Sequence, residues 1–301
     1  MKQLTTYMIL YSCVFFWASN FIIGSILINY WAPISIAIFR LIVIVLFLGC
    51  MNWQAIVRAT FTRYDSILLI IAGILGVAIN HYSFYASLQH TSPITAALIL
   101  ACAPIVTSLL NKLIYKEYRN SIFWVGTIIS FIGVSLIITK GALIGIAIGK
   151  GEILSLMTML SFALFLIIVN HLSQRISAEA ITFYTNLTGL IVLIPFGSTI
   201  LSPKNMQVEL PYWLLLIISA IVISGISNLI WNKKMKEVGS TNASLLLNFE
   251  PAIAMILSAM ILNQYPTIIQ IYGSLLIVLG IMLCVYYKEI KILFSAKRKM
   301  I

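Results

Sequence analysis

The stretch Ser244-Leu-Leu-Leu-Asn-Phe-Glu-Pro-Ala-Ile-Ala-Met-Ile-Leu-Ser-Ala-Met260 is apolar enough to lie in a bilayer, yet it carries Asn248, Glu250 and Pro251 near its middle. Such residues are costly at membrane depth and are kept where they face protein or a water-filled cavity. The stretch has a partner in Ala96-Ala-Leu-Ile-Leu-Ala-Cys-Ala-Pro104. Pro104 and Pro251 are 147 residues apart, as are Ala96 and Ala243, Gly126 and Gly273, and Gly133 and Gly280. The chain therefore contains an internal repeat.

Composition sets the class. Of 301 residues, 61% are hydrophobic and 9% are charged, more apolar surface than a soluble core absorbs, so a polytopic membrane protein is expected. Apolar runs of spanning length fall at about 6–28, 33–52, 66–87, 92–114 and 120–139, then at about 151–172, 178–199, 211–232, 240–262 and 266–287. The expected fold is all-α, with ten transmembrane helices in two five-helix repeats. The repeats cover 1–139 and 151–287, with an outer linker at 140–150 and a basic tail at 288–301. An odd number of helices per repeat gives the second copy the opposite orientation, the inverted-topology plan of secondary transporters.

Charge fixes the expected orientation. With the N-terminus inside, the inner segments hold fifteen Lys and Arg residues and the outer loops only Lys140, Lys150 and Lys204. That bias places both termini in the cytoplasm of a cell-membrane protein. The net charge of +11 sits in short loops and does not point to nucleic acid. Gly141, Gly145 and Gly149 in the linker read either as a small-residue helix face or as a flexible loop, and they lack phosphate-loop spacing. Cys13, Cys50, Cys102 and Cys284 stand singly in apolar runs and form no metal pattern. No HExxH, paired deep carboxylates or His/Cys/Asp cluster argues for an enzyme, a metal or a cofactor.

Polar residues inside the spans are the candidate site. Arg40 lies about 10 Å inside the second span at 1.5 Å per residue, and Glu250 is the one carboxylate well inside an apolar run. Two readings stand: the pair neutralise each other as a lock between halves, or Arg40 receives a substrate carboxylate while Glu250 handles an ammonium group or a coupling proton. Trp17, Asn20 and Gly24 share one helical face. His81 and Tyr85 are four apart in the third span, and Asn228, Trp231 and Asn232 occupy the eighth. The 147-residue offset sets His81 on Asn228 and Tyr85 on Asn232. These residues, with Asn248, line a cavity or bond neighbouring helices. Pro104 and Pro251 are expected to kink their spans at equivalent points, as gating elements or by repeat symmetry alone.

The chain resembles the EamA-like branch of the drug/metabolite transporter superfamily over essentially its whole length. The resemblance rests on Phe16-Trp17-Ala18-Ser19-Asn20, Pro33 to Arg40, Ser92-Pro-Ile-Thr-Ala-Ala-Leu98 through Pro104, Lys116-Glu117, Gly126 and Ile132-Gly133-Val134. In the second half it rests on Lys150-Gly-Glu152 and on Phe249-Glu250-Pro251 through Gly273 and Gly280. Gln264 departs from the pattern where the first half has Glu117. The resemblance implies a cavity lined by helices one, three, four, six, eight and nine, and transport of small metabolites, amino acids among them and often exported. A proton is the candidate coupling ion, and oligomeric state is left open. The alternatives are a carrier of organic cations, sugars or vitamins, and a non-transporting scaffold or receptor.

Overall fold

A computed structural model describes residues 2–115, 121–139, 148–197, 207–238, 246–247, 249–280 and 282–283. Asn248, most of the 140–150 linker and the 288–301 tail lie outside them, as do the side chains of Pro104 and Asn232. The described residues are all-helical. Seven helices are long and apolar enough to cross a membrane, and three shorter apolar helices accompany them. Leu46, Met51, Ile128, Ile268 and Leu275 are exposed, as suits side chains that face lipid.

In chain order the helices are α1 (Lys2–Leu27), α2 (Pro33–Val57), α3 (Arg63–Leu88), α4a (Pro93–Leu100) and α4b (Ala103–Tyr115). There follow α5 (Ser121–Ile138), α6 (Lys150–Leu172), α7 (Ala178–Leu193), α8 (210–238), α9 (Glu250–Leu262) and α10 (Ile268–Gly280). Their starts are written in the sequence. Thr62 and Asp65 form a capping box at α3, with Thr62 Oγ1 accepting from Asp65 N at 3.1 Å and Asp65 Oδ2 accepting from Thr62 N at 3.1 Å. Ser92 and Ser177 cap α4a and α7 through their hydroxyls.

A helix start falls just before each of the two deep prolines. The fourth span stops at Leu100, turns at Ala101 and Cys102, and resumes at Ala103. In the ninth, α9 starts at Glu250. Each proline is thus the second residue of a new helix, where its missing N–H would be unsatisfied anyway and its fixed φ suits the first turn. The two restarts, Ala103 and Glu250, are 147 residues apart.

Two further irregularities keep nearly the same spacing, 146 residues between their starts and 147 between their ends. α3 passes through a π-helical segment at Ile74–Ile79, and α8 through one at Ala220–Ile226. α3 packs on α6 and α7, α8 packs on α1 and α2, and α2 lies against α7. In the first two helices of each half the burial pattern repeats at an offset of 145: Leu27 with Leu172, Trp31 with Ile176, Ile36 with Ile181 and Leu48 with Leu193 are all buried. Two extra residues therefore fall between α7 and α8.

α5 and α10 meet backbone to backbone. A Cβ on Gly133 would stand 2.7 Å from the Gly273 carbonyl oxygen, and one on Gly280 would overlap Ser130 and the Gly126 carbonyl. Ser130 Oγ donates to the Ile277 carbonyl at 3.2 Å. As the number rises on α5 it falls on α10, so the two helices run antiparallel. Small residues permit this close approach without a hydrophobic driving force.

Candidate substrate site

The centre of the site is Arg40 on α2, only 1% exposed. Its Nη1 donates to Ser219 Oγ, and its Nη2 donates to Ser224 Oγ at 3.3 Å and to the Ser219 carbonyl at 3.4 Å. The guanidinium carbon lies 5.9 Å from the centroid of the buried Tyr85 ring. Nε has no partner, and no carboxylate among the described residues pairs with the group. Burying a cation without an anion costs several kcal/mol. Two hydroxyls, one carbonyl and one ring face offset part of that cost.

Ser219, the last residue before the π-helical segment of α8, and Ser224 within that segment supply those oxygens. A widened turn shifts the backbone ladder and turns carbonyls toward side chains. Ser219 O accepts from Arg40, and Val222 O accepts from Ser227 Oγ at 2.8 Å. Ile223 O accepts from Trp17 Nε1 at 3.3 Å, and Ser224 O from Asn228 Nδ2 at 2.8 Å. In α3 the corresponding contact joins His81 Nδ1 to Val77 O at 3.0 Å. His81 and Asn228 thus bond the same carbonyl position of their own helices, and Asn228 is helix-stabilising as placed.

α1 brings the aromatic and amide groups. Trp17 and Trp231 rings lie 4.8 Å apart. Asn20 faces the Tyr85 hydroxyl, and its buried Oδ1 has no hydrogen-bond partner. Gly24 makes the approach possible: a Cβ there would stand 2.7 Å from Leu88 Cδ1 and 3.3 Å from Tyr85 Cε1. Of the residues expected to act together, Tyr85 adjoins both Arg40 and Asn20, and Trp17 packs on Trp231, whereas the bonds of His81 and Asn228 run to their own helices.

Glu250 does not join them. It forms no ion pair with Arg40 and has no hydrogen-bond partner among the described residues, so the reading of the two as a lock between halves is not what the structure holds. Glu250 heads α9 directly after Phe249, which borders a separate groove of about 420 Å³ with Tyr7, Met8, Tyr11, Ser12 and Leu246.

Several structural groups escaped the sequence reading. Ser219 and Ser224 are the hydroxyls that hold Arg40; their signal was polar residues inside an apolar run. Asn80 donates to Thr158 O at 3.0 Å and Ser161 Oγ at 3.3 Å, and Ser83 Oγ and Thr158 Oγ1 are 2.8 Å apart. Asp65 pairs with Arg175 at 3.1 Å. Tyr30 stacks on Tyr212 at 3.7 Å; the Tyr212 hydroxyl, more than burial, pushes the Tyr30 hydroxyl up to about 12, so it is neutral at physiological pH. Among the described residues no group of His, Cys, Asp or Glu could hold a metal ion. The arrangement presents a buried guanidinium with an unpartnered Nε–H.

The chain is 27% identical over 289 residues to the uncharacterized transporter YyaM of Bacillus subtilis, covering 94% of each. It is 27% identical over 240 residues to the uncharacterized transporter sll1164 of Synechocystis, covering 77% of this chain and 69% of that one. A crystal structure with 14% identity shares the fold at a TM-score of 0.65, over 94% of this chain and 97% of the other. The pattern of the EamA-like transporter family matches residues 4–139 and again 149–286. With both stretches matched, nearly the whole chain is accounted for, and this multi-pass membrane protein belongs to the EamA-like transporter family.

Proposed function

We propose that the protein is a secondary transporter of small solutes bearing a carboxylate, amino acids or their derivatives first among them, with export as the favoured direction. The observation that carries this reading is Arg40: a fully buried guanidinium, held by neutral groups, with a free Nε–H and no acid beside it among the described residues. A guanidinium matches a carboxylate in shape and charge, and an incoming anion would supply the missing counter-charge. Trp17, Trp231 and Tyr85 give ring faces for the rest of the solute. His81 and Asn20 tune its polarity, as would Asn232 and Asn248.

The same proposal includes ten transmembrane helices in two inverted five-helix repeats and alternating access between the faces of the cell membrane, both termini inside. The antiparallel, reciprocal glycine contacts of α5 with α10 support the inverted arrangement, and the Lys/Arg bias supports the orientation. In this proposal Glu250 exchanges a coupling proton, and the helix restarts at Pro104 and Pro251 serve as gating points.

A second reading takes its support from the groove. Tyr7, Tyr11 and Phe249, the last next to Glu250 in sequence, would suit an organic cation. Reconstituted protein should be screened for flux of labelled amino acids and organic cations, with and without a pH gradient, beside Glu250→Gln. Gradient-driven amino-acid flux lost in Glu250→Gln is the expected result. Cation flux with silence across the amino acids would replace the proposal by the second reading.

A further inference from the structure

Two contacts at opposite ends of the molecule occupy the same place in the repeat. Arg175 stands 145 residues after Tyr30, the offset of the first two helices in each half, and Tyr212 stands 147 after Asp65, the offset of α3 and α8. The ion pair Arg175–Asp65 (3.1 Å) and the ring stack Tyr30–Tyr212 (3.7 Å) are therefore one structural contact made twice, with different chemistry. Each ties the turn before α7 or α2 to the first turn of α3 or α8.

The arrangement behind each contact also repeats. On α3 the order is Asp65, the π-helical segment Ile74–Ile79, then His81 and Tyr85. On α8 it is Tyr212, the π-helical segment Ala220–Ile226, then Asn228 and Trp231. π segments have weaker hydrogen-bond geometry than the α-helix around them and concentrate at functional sites. Both end contacts are weak and reachable by water: Arg175 is 51% and Tyr30 38% exposed. A contact that must be released in every cycle has to be weak.

We infer that α3 and α8 are two hinged levers, each bending at its π-helical segment and clasped at its first turn, and that the tyrosine clasp governs access to Arg40. The link to the site is Ser219, at the edge of the α8 hinge, which bonds Arg40 through both its hydroxyl and its carbonyl. With Tyr30 and Tyr212 stacked, Ser219 at the end of residues 210–219 holds the guanidinium. Release of the stack lets that segment swing and lifts Ser219 away, so Nη1 and Nη2 become free for an anion. The structure is the state with both clasps made. This inference rests on the transporter reading, and not on which solute is carried.

The test uses the full-length protein in liposomes with Cys13, Cys50, Cys102 and Cys284 replaced. Tyr30→Cys with Tyr212→Cys, and separately Asp65→Cys with Arg175→Cys, are joined by a short bifunctional thiol reagent after folding and reconstitution. Crosslinking of either pair is expected to stop flux, with recovery on reduction. A second readout needs no substrate: Ser219→Cys, labelled with a membrane-impermeant maleimide, should react several-fold faster in Tyr30→Ala than in the background with both tyrosines. Flux unchanged after complete crosslinking of both pairs would overturn the inference, and so would equal Ser219→Cys labelling with and without the clasp. A failed amino-acid screen leaves the labelling result intact, which separates this inference from the choice of solute.

Discussion

The seams on α3 and α8 are built on the same backbone plan and finished differently. On the α3 side, Asn80, Ser83, Thr158 and Ser161 bond one another across the seam with α6, and Phe165 lies where a Cβ on Gly76 would be. On the α8 side, the seam with α1 and α2 encloses Arg40 with its free Nε and the unmet Oδ1 of Asn20. A polar network with its bonds made rigidifies a helix pair; one left short of partners is poised for a ligand. Backbone irregularity is shared by the two halves, whereas charge is not: Arg40 corresponds by position to the buried Thr185, and Glu250 to Ala103. The shared parts suit movement and the unshared parts suit recognition.

The largest expected effect comes from emptying the α8 seam of its charge. Arg40→Gln should lower solute flux about 100-fold while protein yield and helicity hold, since bonds to a charged group contribute about 1.5–3 kcal/mol each. Arg40→Lys should rescue little, because one ammonium cannot reproduce the fork that reaches Ser219 and Ser224. Flux of purified variants in liposomes checks both.

Next in size is the seam between α5 and α10. Gly280→Val should cost about 1–3 kcal/mol through overpacking against Ser130 and the Gly126 carbonyl, visible as a lower unfolding temperature in detergent. On the α3 seam, Asn80→Leu should destabilise by about 1–3 kcal/mol by stranding its partners and leave the ranking of transported solutes unchanged. A changed ranking would mean that this seam also recognises solute, and the contrast between the two would fail. The smallest effect is Trp17→Phe, which keeps a ring against Trp231 but loses the bond to Ile223 O, at about 0.5–1.5 kcal/mol.

Much of this could be read from the chain. Hydropathy marked the apolar runs, seven of which are helices long enough to cross a membrane among the described residues. The quoted motifs pointed to the family whose pattern matches, and depth singled out Arg40 as a residue to place. The helix starts at Ala103 and Glu250 were not legible, because a proline inside an apolar run reads the same whether it bends a helix or begins one. Depth along a span also says nothing of which neighbour a side chain faces. Arg40 and Glu250 looked like partners for that reason, although one turns to α8 and the other heads α9 beside a different groove. Ser219 and Ser224 were hidden because hydroxyls in membrane helices commonly bond their own backbone, as Ser219 Oγ does in donating to the Leu216 carbonyl at 3.0 Å while it accepts from Arg40. The paired clasps were hidden by the change of offset from 145 to 147, which only the helix starts and burial pattern show.

The most direct test of the central claim is competition at the site. Counterflow of a labelled amino acid in liposomes should be challenged with the same compound lacking its amino group and the same compound lacking its carboxylate, in wild type and in Arg40→Gln. The account predicts that the carboxylic acid competes, the amine does not, and Arg40→Gln loses the flux. Competition by the amine equal to that of the acid, with flux preserved in Arg40→Gln, would contradict it.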